Sequence, residues 1–330
     1  MSNATIYDVA GKAEVSLATV SRVLNNPDKV NEATRNKVLK VIKELGYRPN
    51  AIARGLASHK STTVGIMLSD VTRASTSQLL GGIIDIAKKY SYTIKIFSMS
   101  GENDANDAIR DVVAEQVDGI LLLNDELDTK EMNSIKEQAS NANIPLVLTN
   151  VISDDPELAS VAIDYFKASY DITKEFIDAK KKDIYLLSTV RKYSVNSQKE
   201  AGYLKACEDA NVEPRVFRTS GDLSINTPHF EEYFETHKVD AALAVRDSIA
   251  VSFMNVMIDK GHKVPEEISV CGYQNTKYAM LARPRLTCID TPVYDIGAVA
   301  MRLLTKLIKG EKVDNIKIVL PHKVIRRESF

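Results

Sequence analysis

Along the first fifty residues the apolar positions recur in short bursts at helical spacing, whereas from residue 62 onward they form short continuous runs. The helical part comes first. Thr5 and Ser16 each precede a periodic segment and can accept from orphan backbone N–H groups, which predicts two short helices starting about eleven residues apart and joined by a turn containing Gly11. In the second, Val20, Val23 and Leu24 fall at i, i+3 and i+4 and make an inward stripe. Leu17, Ala18, Thr19, Ser21 and Arg22 are left outward or sideways. A third helix is predicted from an Asn31 cap, with Glu32 in its first turn, Val38, Val41, Ile42 and Leu45 inward and a stop at Gly46. Three such helices enclose one minimal core over residues 1–48. Residues 49–61 then form a connecting segment, in which Asn50 to Ser58 is helix-compatible but only about two turns long, too short to persist alone in water.

Residues 62–330 read differently. Apolar β-type runs appear at Val64 to Leu68, Ile94 to Phe97, Gly119 to Leu123, Leu146 to Leu148, Ile184 to Leu187, Ala241 to Val245 and Ser269 to Gly272, with helical patterns between most of them. Continuous rather than alternating apolar strands indicate parallel sheets buried on both faces. The segment 151–163 suits a first crossing between two lobes, and a second falls near 288–293. The expected fold class is therefore α/β: a three-helix headpiece followed by a two-lobed body of doubly wound parallel sheets, like that of periplasmic-type sugar-binding proteins. The N-lobe takes about 62–160 plus 292–320, and the C-lobe about 161–291 plus the C-terminus. A ligand cleft is expected between the lobes.

Charge changes the picture of the headpiece. Residues 1–60 contain ten Lys/Arg against five Asp/Glu, while the rest of the chain carries 33 against 39, so a total of −1 hides a basic head on an acidic body. That division suits a phosphate-binding module attached to something else. The outward face of the second helix suits a major groove: its side chains are small, Ala18 and the Thr19 methyl can touch thymine methyl groups, and Arg22 can fork onto guanine O6 and N7. Phosphates fall to Thr5, Tyr7 and the helix N-termini, and the capping Ser16 is counted with Leu17, Ala18, Thr19, Ser21 and Arg22 among the DNA-binding positions.

Other chemistries find little support. There is no Gly-x-Ser-x-Gly elbow, no phosphate-binding loop, no dinucleotide fingerprint and no His-Glu-x-x-His, so an enzyme is not expected, nor any cofactor or metal. Asp70, Asp164, Asp247 and Asp290 lie near strand ends without a partner base and read as ligand contacts or helix caps. Cys207, Cys271 and Cys288 have no metal or redox spacing and read as reduced core residues. The chain starts directly on the helix-turn-helix, without a basic-then-apolar leader or a membrane span, which points to a cytoplasmic protein rather than a secreted binder.

Thr5 to Leu24, together with Tyr-Arg-Pro-Asn-Ala-Ile-Ala-Arg-Gly-Leu-Ala-Ser at 47–58, closely resembles the lactose-repressor/galactose-repressor family of bacterial transcription factors. Thr-Thr-Val-Gly at 62–65 and Val-Tyr-Asp-Ile-Gly-Ala-Val-Ala-Met-Arg-Leu-Leu-Thr-Lys at 293–306 are similar to its catabolite-control branch. The resemblance implies a homodimeric repressor on a pseudo-palindromic operator. Two hinge helices would pair in the minor groove with Leu56 as an apolar wedge, flanked by Asn50, Ala53, Arg54 and Ala57. Two inputs remain open. A small-molecule effector would meet Asp70, Lys199, Asp247 and Gln274 in the cleft. Yet Lys199 stands where sugar-responsive members have Arg, Gln274 replaces an Asp, and the loop Asp70 to Gln78 has no aromatic stacking face. The alternative is a protein corepressor. On the helix from about Tyr294 to Lys309, the residues Asp295, Arg302 and Lys306 line one stripe beside a buried arc of Ile296, Ala300, Leu303, Leu304 and Leu307. On pattern alone this is a solvated face. The resemblance gives Tyr294, Asp295, Arg302 and Lys306 a partner, the phosphocarrier protein HPr phosphorylated on serine, although Gly81-Gly82 stands where those regulators have Arg-Gly.

Overall fold

The computed structural model describes residues 4–47, 61–71, 73–99, 104–123, 127, 129–153, 155–190 and 194–330. It comprises two compact units, Met1–Ser61 and Thr62–Phe330. In the first, helices α1 (Ile6–Ala13), α2 (Leu17–Asn25) and α3 (Glu32–Leu45) close on Val9, Ala13, Val20, Val23, Val38 and Val41. Thr5 starts α1 with a reciprocal box: its hydroxyl accepts from the Asp8 N–H at 3.3 Å, and the Asp8 carboxylate accepts from the Thr5 N–H at 2.8 Å. The hydroxyl of Ser16 accepts from the Thr19 N–H at 3.1 Å, and the Asn31 side chain from the Ala33 N–H at 2.8 Å. Gly46 ends α3 in the left-handed region, as its position predicts.

The first turn is built differently from expectation. Gly11 lies inside α1, and Glu14 takes the left-handed conformation at φ 50°. A non-glycine residue there is strained, but the Glu14 N–H is held by the carbonyls of Ala10 and Gly11, and its carboxylate takes the Lys37 ammonium from α3 at 3.0 Å.

The second unit holds two six-stranded sheets. The first contains β1 (Thr63–Leu68), β2 (Thr93–Ser98), β3 (Gly119–Leu123), β4 (Leu146–Thr149), β5 (Ala159–Ile163) and β11 (Lys317–Leu320), in the order β11-β5-β4-β3-β1-β2 and parallel throughout. The second contains β6 (Ile184–Thr189), β7 (Arg215–Thr219), β8 (Ala241–Ala244), β9 (Ser269–Tyr273), β10 (Thr287–Asp290) and β12 (Lys323–Ile325), in the order β12-β10-β9-β8-β6-β7. Here β12 pairs antiparallel with β10, so this sheet is parallel except at one edge. That edge strand follows β11 of the first sheet after a short link, so the chain passes from one sheet to the other between Leu320 and Lys323.

Strand β5, placed by sequence at the crossing, is hydrogen bonded between β4 and β11. The chain therefore leaves the first lobe after Ile163, at Asp164, which caps α7 (Tyr165–Asp178) by accepting from the Lys167 N–H at 2.8 Å. It returns after β10 into α12 (Val293–Ile308), which packs on β3, β4, β5 and α4 (Ala74–Lys89). The α4–α12 contact is backbone to backbone. A Cβ on Gly82 would lie 2.0 Å from the Tyr294 carbonyl oxygen, and one on Gly297 would lie 2.2 Å from that of Leu79. In the second lobe α7 crosses α8 (Ser194–Ala210) in the same way at Gly202. The remaining helices are α5 (Asp104–Ala114), α6 (Thr129–Asn141), α9 (Leu223–Tyr233), α10 (Asp247–Asp259) and α11 (Lys277–Leu281).

Candidate nucleic-acid interface and inter-lobe cleft

On the headpiece, burial of Val20 and Val23 fixes the rotation of α2 and so decides which side chains reach solvent. Leu17, Ala18, Ser21 and Arg22 are exposed, Thr19 is half-buried, and Tyr7 on α1 is 70% exposed. The outward set read from the sequence therefore lies on one helix together with its Ser16 cap. Thr5 and Ser16 spend hydroxyl lone pairs on capping, and the Ser16 hydroxyl also pairs with that of Thr19 at 2.9 Å. The hinge positions Asn50, Ala53, Arg54, Leu56 and Ala57 lie outside the described residues.

The cleft between the body lobes has a volume of about 330 Å³ and is walled by Asp70, Arg73 and Ser75 from one lobe and by Arg246, Asp247, Gln274 and Tyr278, among others, from the second. Asp70 and Arg73 pair at 3.3 Å. Asp247 opens α10 and is 2% exposed. Its Oδ2 accepts from the Thr276 N–H at 2.6 Å and from the Thr276 hydroxyl at 2.8 Å, whereas Oδ1 is buried without a hydrogen-bond partner among the described residues. Burial pushes this carboxyl up to about 7, against the lowering pull of the Thr276 bonds and of the Arg327 and Lys199 charges. Gln274 is left-handed at φ 86°, at the end of β9.

Lys199 departs from its expected place. It is 1% exposed and absent from the cleft lining, and it donates to the Val245 carbonyl at 3.1 Å between the rings of Tyr165 and Tyr273. Its α8 helix is pressed so closely onto α7 at Gly202 that the side chain three residues earlier turns into the lobe interior. In exchange the cleft gains groups the sequence did not single out: Arg73, Arg246 and the ring of Tyr278. Arg246 directly precedes Asp247 at a strand-to-helix junction, a signal that was available. Tyr278 lies on a five-residue helix with no periodic pattern to announce it.

On α12 the arc Ile296, Ala300, Leu303 and Leu304 is buried, Leu307 at its end is half-buried, and Tyr294, Asp295, Arg302 and Lys306 are exposed. The Tyr294 hydroxyl donates to Asp85 of α4 at 2.5 Å. That bond and Asp85's charge push the phenol upward. Gly81 leaves ordinary contact room beside the Tyr294 ring, with a Cβ there 3.6 Å away. Nothing among the described residues groups three His, Cys, Asp or Glu as a metal site, and no described helix is long and apolar enough to cross a membrane. All three cysteines are buried, and burial pushes the Cys288 thiol up to about 12.

Comparison with known proteins adds to this geometry. Residues 5–50 match the family described as bacterial regulatory proteins, lacI family, and residues 173–330 match a periplasmic binding protein-like domain. The chain is 37% identical to catabolite control protein A of Priestia megaterium, covering 99% of both chains. It is also 37% identical to the HTH-type transcriptional regulator pepR1 of Lactobacillus delbrueckii subsp. lactis, over 98% of this chain and 97% of that one. Among solved structures, the lac repressor dimer bound to operator and the anti-inducer ONPF superposes with a TM-score of 0.91 at 24% identity, over 99% of each chain.

Proposed function

Because this chain belongs to the lacI family of DNA-binding transcriptional regulators, we propose that it acts as a homodimeric repressor of catabolite-responsive genes, with its α2 helices in two major-groove half-sites of a pseudo-palindromic operator. The observation that carries this reading is the α2 face: a helix capped by Ser16 and seated by the burial of Val20 and Val23, whose exposed side chains are Leu17, Ala18, Ser21 and Arg22. Tyr7 and the helix N-termini would hold phosphates, and the segment with Asn50, Ala53, Arg54, Leu56 and Ala57 would enter the minor groove between the half-sites. A dimer interface would have large apolar side chains of the body surface to cover, Ile84, Ile96, Met280 and Leu281 being between 48% and 72% exposed. The setting is the cytoplasm.

For the input, the reading favours serine-phosphorylated HPr on the α12 face. Arg302 and Lys306 offer a phosphoserine two cations one helical turn apart, and Tyr294 and Asp295 give the docking surface an edge. A second reading rests on the cleft, where the half-satisfied Asp247 and the nearby Arg73 and Arg246 supply polar groups to a small effector. Either input must couple to DNA reciprocally.

The test is a titration onto a labelled palindromic operator at fixed salt, with and without serine-phosphorylated HPr and then a panel of sugars. Tightening by phosphorylated HPr, abolished in Arg302→Ala, is the expected result, and a response to sugars alone moves the input into the cleft. In the same assay Arg22→Ala should cost about 1 to 3 kcal/mol on operator and relax one base position. Equal losses on operator and random DNA would overturn the assignment of Arg22 to base reading.

A further inference from the structure

We propose that Lys199 is a positioning residue for the switch, holding the lobes at a set angle through Tyr165 and Asn150 and tying that angle to the cleft wall. Three elements meet on its ammonium. It lies 4.9 Å from the ring centroid of Tyr165, the first residue of α7, and 4.5 Å from that of Tyr273 at the end of β9. It donates to the carbonyl of Val245, the residue before Arg246 and Asp247 of the cleft.

The Tyr165 hydroxyl then crosses the lobe boundary. It donates at 2.6 Å to Oδ1 of Asn150, which follows β4 of the first lobe. Asn150 is held in turn: it is left-handed at φ 74°, its N–H donates to the Val161 carbonyl at 2.8 Å, and it lines a small recess of the first lobe beside Arg73 and Ser75. Gln198, adjacent to Lys199, makes a second bond across the boundary, from Nε2 to the Ile152 carbonyl at 3.1 Å. On the far side, Tyr273 is fixed by a hydroxyl pair with Ser169 of α7 at 2.5 Å.

A lysine is a costly choice if this position only has to be filled. Burying an ammonium is unfavourable unless it is compensated, and a methionine would occupy a similar volume without that cost. What the charge adds is direction. Cation–π attraction, strengthened by desolvation, orients both rings toward one point, and the donated hydrogen bond fixes the start of the Val245–Asp247 turn against them. Movement of that turn when the cleft fills is thereby passed to Tyr165 and to the first crossing between the lobes. The coupling to DNA rests on the regulatory reading above; the lobe geometry does not.

The experiment uses the full chain with spin labels at Asp107→Cys in the first lobe and Glu232→Cys in the second, both exposed, diluted into unlabelled protein so that distances are read within one subunit. The three native cysteines are buried. Without DNA, Tyr165→Phe should broaden or shift the inter-lobe distance distribution, and Lys199→Met should do so further. Operator affinity should change by about fivefold, as losing one hydrogen bond would give. An unmoved distribution in both variants overturns the proposal, and a lowered melting temperature with unmoved distances makes Lys199 a core residue only. Should Lys199→Met fail to fold, Tyr165→Phe, which keeps the ring and removes only the hydroxyl, decides alone. Absence of operator binding in the parent protein would overturn the regulatory reading while the distance result stands by itself.

Discussion

Asp247 shows what a single side chain takes from its surroundings. In sequence it is an acidic residue at a strand end, available for a cap or a ligand. In the fold its Oδ1 sits over Gly272, where a Cβ would come within 2.6 Å, and burial outweighs the two Thr276 bonds in setting its proton affinity. The consequence for stability has a definite sign. A carboxyl that titrates at about 7 when folded, against an ordinary 3.8, holds an extra proton in the native state between those values. Its stabilising contribution is complete below the lower value and is lost as pH rises through about 7. Asp247→Asn does not titrate, so relative to wild type it should gain up to about 4 kcal/mol between pH 4 and pH 8. Urea denaturation at both pH values checks this, and a difference constant with pH would mean that the native carboxyl is ionised throughout. Lys199 carries the same lesson: its type and spacing were legible, but only the crossing of α7 and α8 determined which way it turned.

At the scale of elements, the α4–α12 pair is governed by glycines whose roles cannot be told apart in the sequence. Gly81 and Gly82 are adjacent, yet only Gly82 faces the partner backbone. Gly82→Ala must push the helices apart or shift Tyr294, at a cost of about 1 to 3 kcal/mol, and it should weaken whatever docks on Tyr294 and Asp295. Gly81→Ala meets only ordinary contact and should instead stabilise, by up to about 1 kcal/mol, through helix propensity. Chemical denaturation of the two variants, expected to move in opposite directions, tests the packing. Strand β7 is not marked by an apolar run, because Arg215 to Arg218 are only partly buried, two of them are arginines, and the one fully buried residue, Thr219, is polar. The short β10, β11 and β12 escaped because each depends on pairing with strands distant in sequence. The strong parallel strands, buried on both faces, announced themselves.

For the whole molecule, the separation of charge matters more than its sum. A head with a net charge of +5 on a body of −6 confines phosphate attraction to residues 1–60. Raising salt from about 50 to about 200 mM should therefore weaken operator binding by about a thousandfold or more. A fluorescence-anisotropy titration gives the slope. The body alone, residues 62–330, should show no comparable salt-dependent binding, and equal DNA affinity with and without the head would refute the division of labour.

Local physics was enough for much of this protein. Caps at Thr5, Ser16 and Asn31, the inward stripe of α2 and the continuous apolar strands depend on near neighbours and on a period, and these are written directly in the chain. Tertiary structure decided the turn at Glu14, the antiparallel β12, the burial of Lys199, the raised proton affinity of Asp247 and the entry of Arg246 and Tyr278 into the cleft. Each of these is set by groups far apart in sequence, through a close backbone approach, a desolvated charge or a shared wall, and no local pattern encodes such a distance.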